Sequence, residues 1–333
     1  LTWDIIRNNA RRKFYVACKA CTVCDGVECA GKVPGIGGIG TGSAFTENLT
    51  ALARYQVNLR TIHGVKIPET SVELFGHKLA FPVLAAPITG METNLAEGMD
   101  EREYADAILD GCLECGTLGM VGDGASPKKY LIGLEAIKKR GGLGIPIFKP
   151  REYNLDIIKR FKAAEDAGAI AVGIDIDAAS FKTMSLKGQA VGPKTIAELQ
   201  ELKSHLKVPF ILKGIMNVES ALAAIEAGAD AIVVSNHGGR VMDHMPGTAE
   251  VLPEIANAVG GRIKVLADGG IREGVDILKM LALGADAVMI GRPVCIAAFG
   301  AGQEGVSFYL QEKLNELKKA MILTGCGSID RID

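Results

Sequence analysis

One rhythm constrains this chain more than any other feature. From Phe81 onward, short apolar runs rich in β-branched residues alternate with helical patterns. The expected strands are 81–86, 117–121, 146–149, 170–175, 208–213, 231–236, 263–268 and 287–291. Helical spacing falls near 101–111, 128–140, 154–167, 195–206, 217–227, 248–259, 273–283 and 304–321. An internal echo supports the repeat: EDAGAIAVGI from 165, IEAGADAIVV from 225 and LALGADAVMI from 281. Each reads as a helix end, a glycine at its C-cap, then a strand. An open doubly wound sheet also alternates, but eight units in roughly 240 residues favour a closed α/β barrel. The expected fold is a TIM (β/α)8 barrel over 81–333. Before it, 1–80 form an extension: helical spacing at 1–17 and 46–58, a Cys-rich stretch between them, and a hairpin within 65–78.

Composition narrows the function classes. Hydrophobic residues make up 48%, aromatics 5%, and there are 41 glycines, which suits an Ala/Val/Ile/Leu core. A net charge of −2 gives no general reason to bind nucleic acid. No window has the roughly 18 uninterrupted apolar residues of a membrane helix; the best, 281–302, is broken by Asp286 and Arg292. The N-terminus has no apolar signal segment, so the eight cysteines are expected to be reduced thiols or ligands in the cytoplasm.

In such barrels chemistry gathers at the C-terminal ends of the strands. Those positions here read Pro87-Ile88-Thr89, Gly122-Asp123-Gly124, Lys149 with Arg151, and Asp175 with Asp177. Next come Lys213, Ser235-Asn236-His237 with Arg240, Asp268 to Arg272, and Gly291-Arg292. The stretch IVVSNHGGR (232–240) runs an apolar strand straight into a base, two glycines and a cation, as the rim of an active site would. Glycine-rich turns after the last two strands are the usual barrel phosphate site, and Arg272 and Arg292 add charge-assisted contacts. Lys213 ends an apolar strand, where an ammonium needs an anion, such as the N1/O2 edge of a reduced flavin. The plainer alternative is a salt-bridge network of Lys213, Asp175 and Arg240.

ILKGI (211–215), SNHGGR (235–240), LADGGIR (266–272), GADAVMIGRP (284–293) and MILTGCGSI (321–329) resemble the FMN-dependent α-hydroxy-acid oxidase/dehydrogenase family, which includes glycolate and lactate oxidases. The resemblance is dense from 205 to 330 and weaker but collinear from 46 to 178. It implies His237 as base with Asp175 as its partner, Arg240 as carboxylate ligand and Lys213 as flavin ligand. It implies FMN contacts from Ser235, from Asp268, Gly269, Gly270 and Arg272, and from Gly291 and Arg292, with Pro87, Ile88 and Thr89 facing the ring. Family membership also implies a homo-oligomer, a tetramer or octamer.

The chain departs from the family pattern. PGIGGIGTG (34–42) replaces a segment carrying an active-site Tyr, and Lys149-Pro150-Arg151 replaces a Gln-x-Tyr pattern. A family Arg falls near Lys182, a flavin-facing Ser at Gly122, and the link between strands 4 and 5 is short. Lys149 is placed beside the cofactor, and Arg151 and Lys182 beside a small anionic substrate, larger or more charged than a simple hydroxy acid.

Cys18, Cys21, Cys24 and Cys29 form C-x2-C-x2-C-x4-C, close to a ferredoxin run. This spacing suits a [4Fe–4S] cluster or Zn²⁺, and equally metal-free thiols. The expected function is FMN-dependent oxidation of a 2-hydroxy acid to a 2-oxo acid, with the electron acceptor left open. The rivals are a flavin-dependent isomerase resembling type 2 isopentenyl-diphosphate isomerase, prompted by the basic mouth, and a non-catalytic flavin- or metal-binding sensor, prompted by the missing tyrosines.

Overall fold

The computed structural model describes residues 1–14, 17–95 and 98–332. Helices α1 (Trp3–Phe14) and α2 (Ser43–Ala53) precede a hairpin of β1 (Val72–Leu74) and β2 (His77–Leu79). The helical expectation for 1–17 includes residues 15 and 16, which lie outside the described residues. Eight parallel strands follow: β3 (Val83–Ile88), β4 (Gly119–Gly122), β5 (Ile145–Phe148), β6 (Val172–Asp175), β7 (Phe210–Ile215), β8 (Ala231–Val234), β9 (Lys264–Asp268) and β10 (Ala287–Ile290). β10 pairs with β3 and closes the barrel, as the alternation led us to expect. Every expected strand overlaps an observed one, and the boundaries differ by a few residues.

Strand periodicity sorts the side chains into two layers. Ile147, Ala171, Ile211, Val233, Leu266 and Met289 fill the barrel interior, while Phe148, Ile174, Leu212, Val234 and Ala267 face the surrounding helices. The hairpin's Leu74 and Leu79 join the interior layer and plug the barrel. Continuing the inward series by two residues on five neighbouring strands gives Lys149, Asp175, Lys213, Ser235 and Asp268. The polar floor of the mouth is therefore the next tier of a layer that is otherwise apolar.

The N-terminal extension packs into the same core. Phe14 stacks on Phe299 with ring centroids 4.4 Å apart. Phe299 belongs to helix Arg292–Thr324, which starts well before the expected 304 and kinks at Ala301 and Gly302. At the mouth, Asn236 ties the extension to β8. Its Nδ2 donates to the carbonyls of Ala44 and Pro246 at 3.0 and 3.1 Å, and its Oδ1 accepts from Asn48 Nδ2 at 2.8 Å. Ala44, Asn48 and Asn236 are buried, so losing the amide strands the Ala44 carbonyl and the Asn48 side chain together. Asn236→Ala is expected to lower stability by about 2–3 kcal/mol. Urea unfolding followed by circular dichroism measures this, and an unchanged midpoint would refute the tie.

Candidate active site

A cleft of about 350 Å³ opens at the C-terminal mouth. Its floor is a buried charge cluster set by strand register. Asp175 pairs with Lys213 across β6 and β7, and Lys149 follows Phe148, the partner of Ile174. Lys149 Nζ donates to Asp175 Oδ2 at 2.8 Å, and Lys213 Nζ lies 3.0 Å from Asp175 Oδ1. The three side chains are only 2–6% exposed. Burial opposes a charge on Asp175, but Lys149 and Lys213 outweigh it and hold the carboxyl far below its usual range. Burial likewise opposes the Lys213 charge, and Asp175, helped by Asp268, raises the ammonium above its ordinary pKa.

His237 sits on the turn after β8 with φ +57°, a left-handed conformation that aims its ring across the mouth. Its Nδ1 lies 3.0 and 3.1 Å from the two oxygens of Asp177, but 3.9 Å from Asp175. This corrects the expected pairing: Asp177 holds the imidazole, while Asp175 is committed to the lysines. The short 3-10 turn Ile176–Ser180 brings Asp177 back over the strand end. Gly214 makes room for it, since a Cβ there would lie 2.4 Å from Asp177 Cγ. With Nδ1–H donated to Asp177, Nε2 carries the lone pair, and among the described residues it has no partner. Burial lowers the His237 pKa, and Asp177 offsets that only in part. The ring is therefore neutral near pH 7 and able to accept a proton.

Three guanidinium groups lining the cleft have no carboxylate partner among the described residues. Arg240 donates to the carbonyls of Gly35 and Gly37 and to Asn94 Oδ1. Burial, with Arg292 nearby, pushes its pKa down to about 9, so an incoming anion would be well received. Arg292 donates to the carbonyls of Ile36 and Gly238 at 2.7 and 2.9 Å and lies over the Phe45 ring at 3.9 Å. Arg272 is held by the Cys24 carbonyl at 2.8 Å.

The cleft also presents unmet polar groups. Asp268 Oδ1 is buried with no hydrogen-bond partner, and the amides of Gly270 and Ile271 have no acceptor among the described residues. A carboxylate seeking a hydroxyl, backbone amides seeking an anion, and Arg272 and Arg292 bonded only to neutral acceptors are the donor set a polyol phosphate needs. These residues fit the ribityl-phosphate tail of FMN.

Of the residues expected at the site, Pro87, Ile88, Thr89, Lys149 and Lys213 line the cleft. His237, Arg240, Asp268, Gly269, Gly270, Arg272, Gly291 and Arg292 line it as well. Asp175 lies beneath it. Ser235 is fully buried and braces the His237 amide through its Oγ at 3.1 Å. Two expectations are corrected. Arg151 turns inward, its Nη2 donating to both oxygens of Asp123 at 3.0 and 3.1 Å, and is 4% exposed. Lys182 is exposed outside the cleft, and Lys187 lines it instead.

Sequence reasoning missed Phe181, whose ring centroid is 5.0 Å from that of His237 and 4.6 Å from Lys149 Nζ. It is the lone aromatic in the loop after β6, which was the available signal. The role of Asp177 was also missed, although its carboxylate stands two residues beyond Asp175.

Comparison with known proteins agrees with this geometry. The chain is 34% identical over 332 residues to a 4-hydroxymandelate oxidase of Amycolatopsis orientalis, covering 88% of this chain and 89% of that protein. It is 31% identical over 330 residues to a peroxisomal (S)-2-hydroxyacid oxidase of Arabidopsis thaliana, with 89% and 88% covered. A solved structure of mandelate oxidase superposes with a TM-score of 0.80 at 31% identity, covering 99% of this chain and 96% of that one. The model of the FMN-dependent dehydrogenases matches residues 36–196 and 179–333, so the chain belongs to the FMN-dependent dehydrogenase family.

Proposed function

We propose that this cleft oxidises an anionic 2-hydroxy acid to its 2-oxo acid, with His237 as the base, Asp177 as its positioning partner and Arg240 as the carboxylate clamp. The observation that carries the reading is the imidazole held by Asp177 at 3.0 Å at the mouth that also holds Arg240, a half-buried guanidinium with no carboxylate partner among the described residues. The isomerase and sensor readings fall away, because the relatives are hydroxy-acid oxidases.

Asp268, Gly270, Ile271, Arg272 and Arg292 would hold the FMN tail, and Lys213 with Pro87 to Thr89 would meet its ring. Bound there, FMN supplies the acceptor for the two electrons the substrate gives up. Arg240 binds the substrate carboxylate through charge-assisted hydrogen bonds, which fixes the reacting carbon relative to His237. His237 Nε2 takes one proton from the substrate, and Asp177 stabilises the imidazolium that results. Lys213 keeps a positive charge at the barrel floor, where negative charge accumulates as the reaction proceeds. Lys149 and Phe181 line the cleft beside His237, so substrate orientation rests on an ammonium and an apolar ring. Lys187 at the rim favours substrates with further negative charge.

The protein is expected to purify yellow and to bleach anaerobically with one or more of glycolate, lactate and mandelate. A preparation that takes up no FMN would overturn the reading. His237→Ala should retain FMN yet lose bleaching by about 10³-fold or more. The bleaching rate should rise with pH through a midpoint below about 6.5, because burial lowers the His237 pKa and only its neutral form accepts a proton. Asp177→Asn removes the charge that raises that pKa, so the midpoint should fall further. The rate should drop by about 10²–10⁴-fold as the tautomer is lost. A midpoint moved upward would contradict the pairing. For Arg240→Leu, kcat/KM should fall by about 100-fold with FMN content unchanged, and Arg240→Lys should recover part of the loss.

A further inference from the structure

Cys18, Cys21, Cys24 and Cys29 serve no part of the chemistry above, yet they converge. The irregular segment between α1 and α2 is folded back by Ala20 at φ +41° and Gly26 at φ +90°. As a result, all four free thiols line one small cavity. The Ala20 amide donates to Cys18 Sγ at 3.3 Å, and Arg272 Nη2 approaches Cys24 Sγ at 3.6 Å. Donors aimed at sulfur are the outer shell expected around metal-bound thiolates.

Tetrahedral zinc with bonds of about 2.3 Å holds its sulfurs roughly 3.8 Å apart. Among the described residues, no three of these thiols lie mutually within 4.8 Å, so they are not drawn in to zinc spacing. The C-x2-C-x2-C run and the shared cavity favour a cubane, which takes one thiolate on each of four separate irons. Charge agrees, since a thiolate-ligated cluster is anionic and Arg292 lines the cavity without a carboxylate partner. Arg292 and Ile36 also line the barrel cleft, so a single layer of side chains separates the two spaces.

We propose that Cys18, Cys21, Cys24 and Cys29 bind a [4Fe–4S] cluster that draws electrons from the barrel cleft across the wall formed by Ile36 and Arg292. The electron route rests on the hydroxy-acid reading; the cluster itself does not. Each turnover releases two electrons and two protons as the 2-hydroxy acid becomes the 2-oxo acid. The protons leave to solvent. The electrons pass one at a time through the cluster to two equivalents of a soluble one-electron carrier.

The test uses the full chain, purified anaerobically and reconstituted with ferrous iron and sulfide. About four irons and four sulfides per chain are expected, beside FMN. Excess lactate or mandelate, whichever bleaches the flavin, should then produce the electron paramagnetic resonance signal of a reduced cluster without any other reductant. Cys21 is only partly buried, and Cys21→Ala should at least halve the iron while FMN content and flavin bleaching stay unchanged. Zinc at one per chain, or no metal after reconstitution, overturns the cluster. Iron that stays oxidised while the flavin bleaches overturns the electron route. A bound cluster in a chain whose flavin no hydroxy acid bleaches supports the cluster and removes the route together with the hydroxy-acid reading, so the two failures are distinguishable.

Discussion

The site depends on one buried carboxylate shared by two ammonium groups. Asp175 holds Lys149 at 2.8 Å and Lys213 at 3.0 Å in the innermost tier of the barrel. At an effective dielectric of about 20, each pair is worth roughly 5 kcal/mol. Desolvating each ion costs several kcal/mol, so the cluster comes out near neutral for stability. An apolar tier in the style of Ile147, Ile211 and Leu266 would fill the same space at least as well. What the ions add is position: two lysines for one aspartate leave excess positive charge fixed at the floor of the cleft. Asp268, 3.9 Å from Lys213, offsets part of it, though burial pushes its carboxyl toward the neutral form. An electron-rich ligand resting on this floor meets a field already in place.

The extension completes the upper half of the site with main chain. Carbonyls from Gly35, Ile36 and Gly37 accept from Arg240 and Arg292, and the Ile39 amide donates to the Gly239 carbonyl at 2.8 Å. Gly239 has φ +76°, and a Cβ there would lie 2.5 Å from the Phe45 amide, so only glycine lets α2 approach this closely. The glycine-rich PGIGGIGTG thus meets the cleft with backbone acceptors that orient arginines. Asp243 fastens the far end by accepting from Ser43 Oγ at 2.8 Å and Thr41 Oγ1 at 2.9 Å.

The barrel was legible because its signals are local. Apolar runs mark the strands, glycine helix ends precede several of them such as β6, β8 and β10, and a period of two carries Lys149, Asp175, Lys213 and Asp268 inward. Features that depend on where a turn goes after the strand ends were not legible. Asp175 and Asp177 share a parity, and only the 3-10 turn decides which of them reaches His237. Arg151 looks like a mouth residue until its bridge to Val191 swings it under the rim, where Asp123 waits on a neighbouring strand end. The early start of helix Arg292–Thr324 had a signal in Pro293 at its first turn, which the apolar run around it obscured. The cysteine spacing named four neighbouring thiols but not that they gather at one cavity, which depends on the fold of an irregular loop.

Arg292 shows how the cleft and the extension are coupled. Its guanidinium is buried, lies on Phe45, donates only to carbonyls, and has its pKa lowered, chiefly by burial. Neutral acceptors recover part of the hydration such a cation loses, but among the described residues no carboxylate forms an ion pair with it, although Asp25 and Glu28 line one cavity it borders and Asp268 the other. An anion arriving on either side relieves the same penalty. Binding on one side therefore changes the electrostatic cost of binding on the other, and the sign is set by how far each anion alone neutralises the cation. The extension contributes Ile36, Phe45 and the cysteine loop around this residue, so its docking is strengthened by whatever the cleft holds, in proportion to ligand concentration and affinity. Occupancy of the barrel mouth and order in the N-terminal segment are, on this reasoning, two aspects of one equilibrium centred on a single arginine.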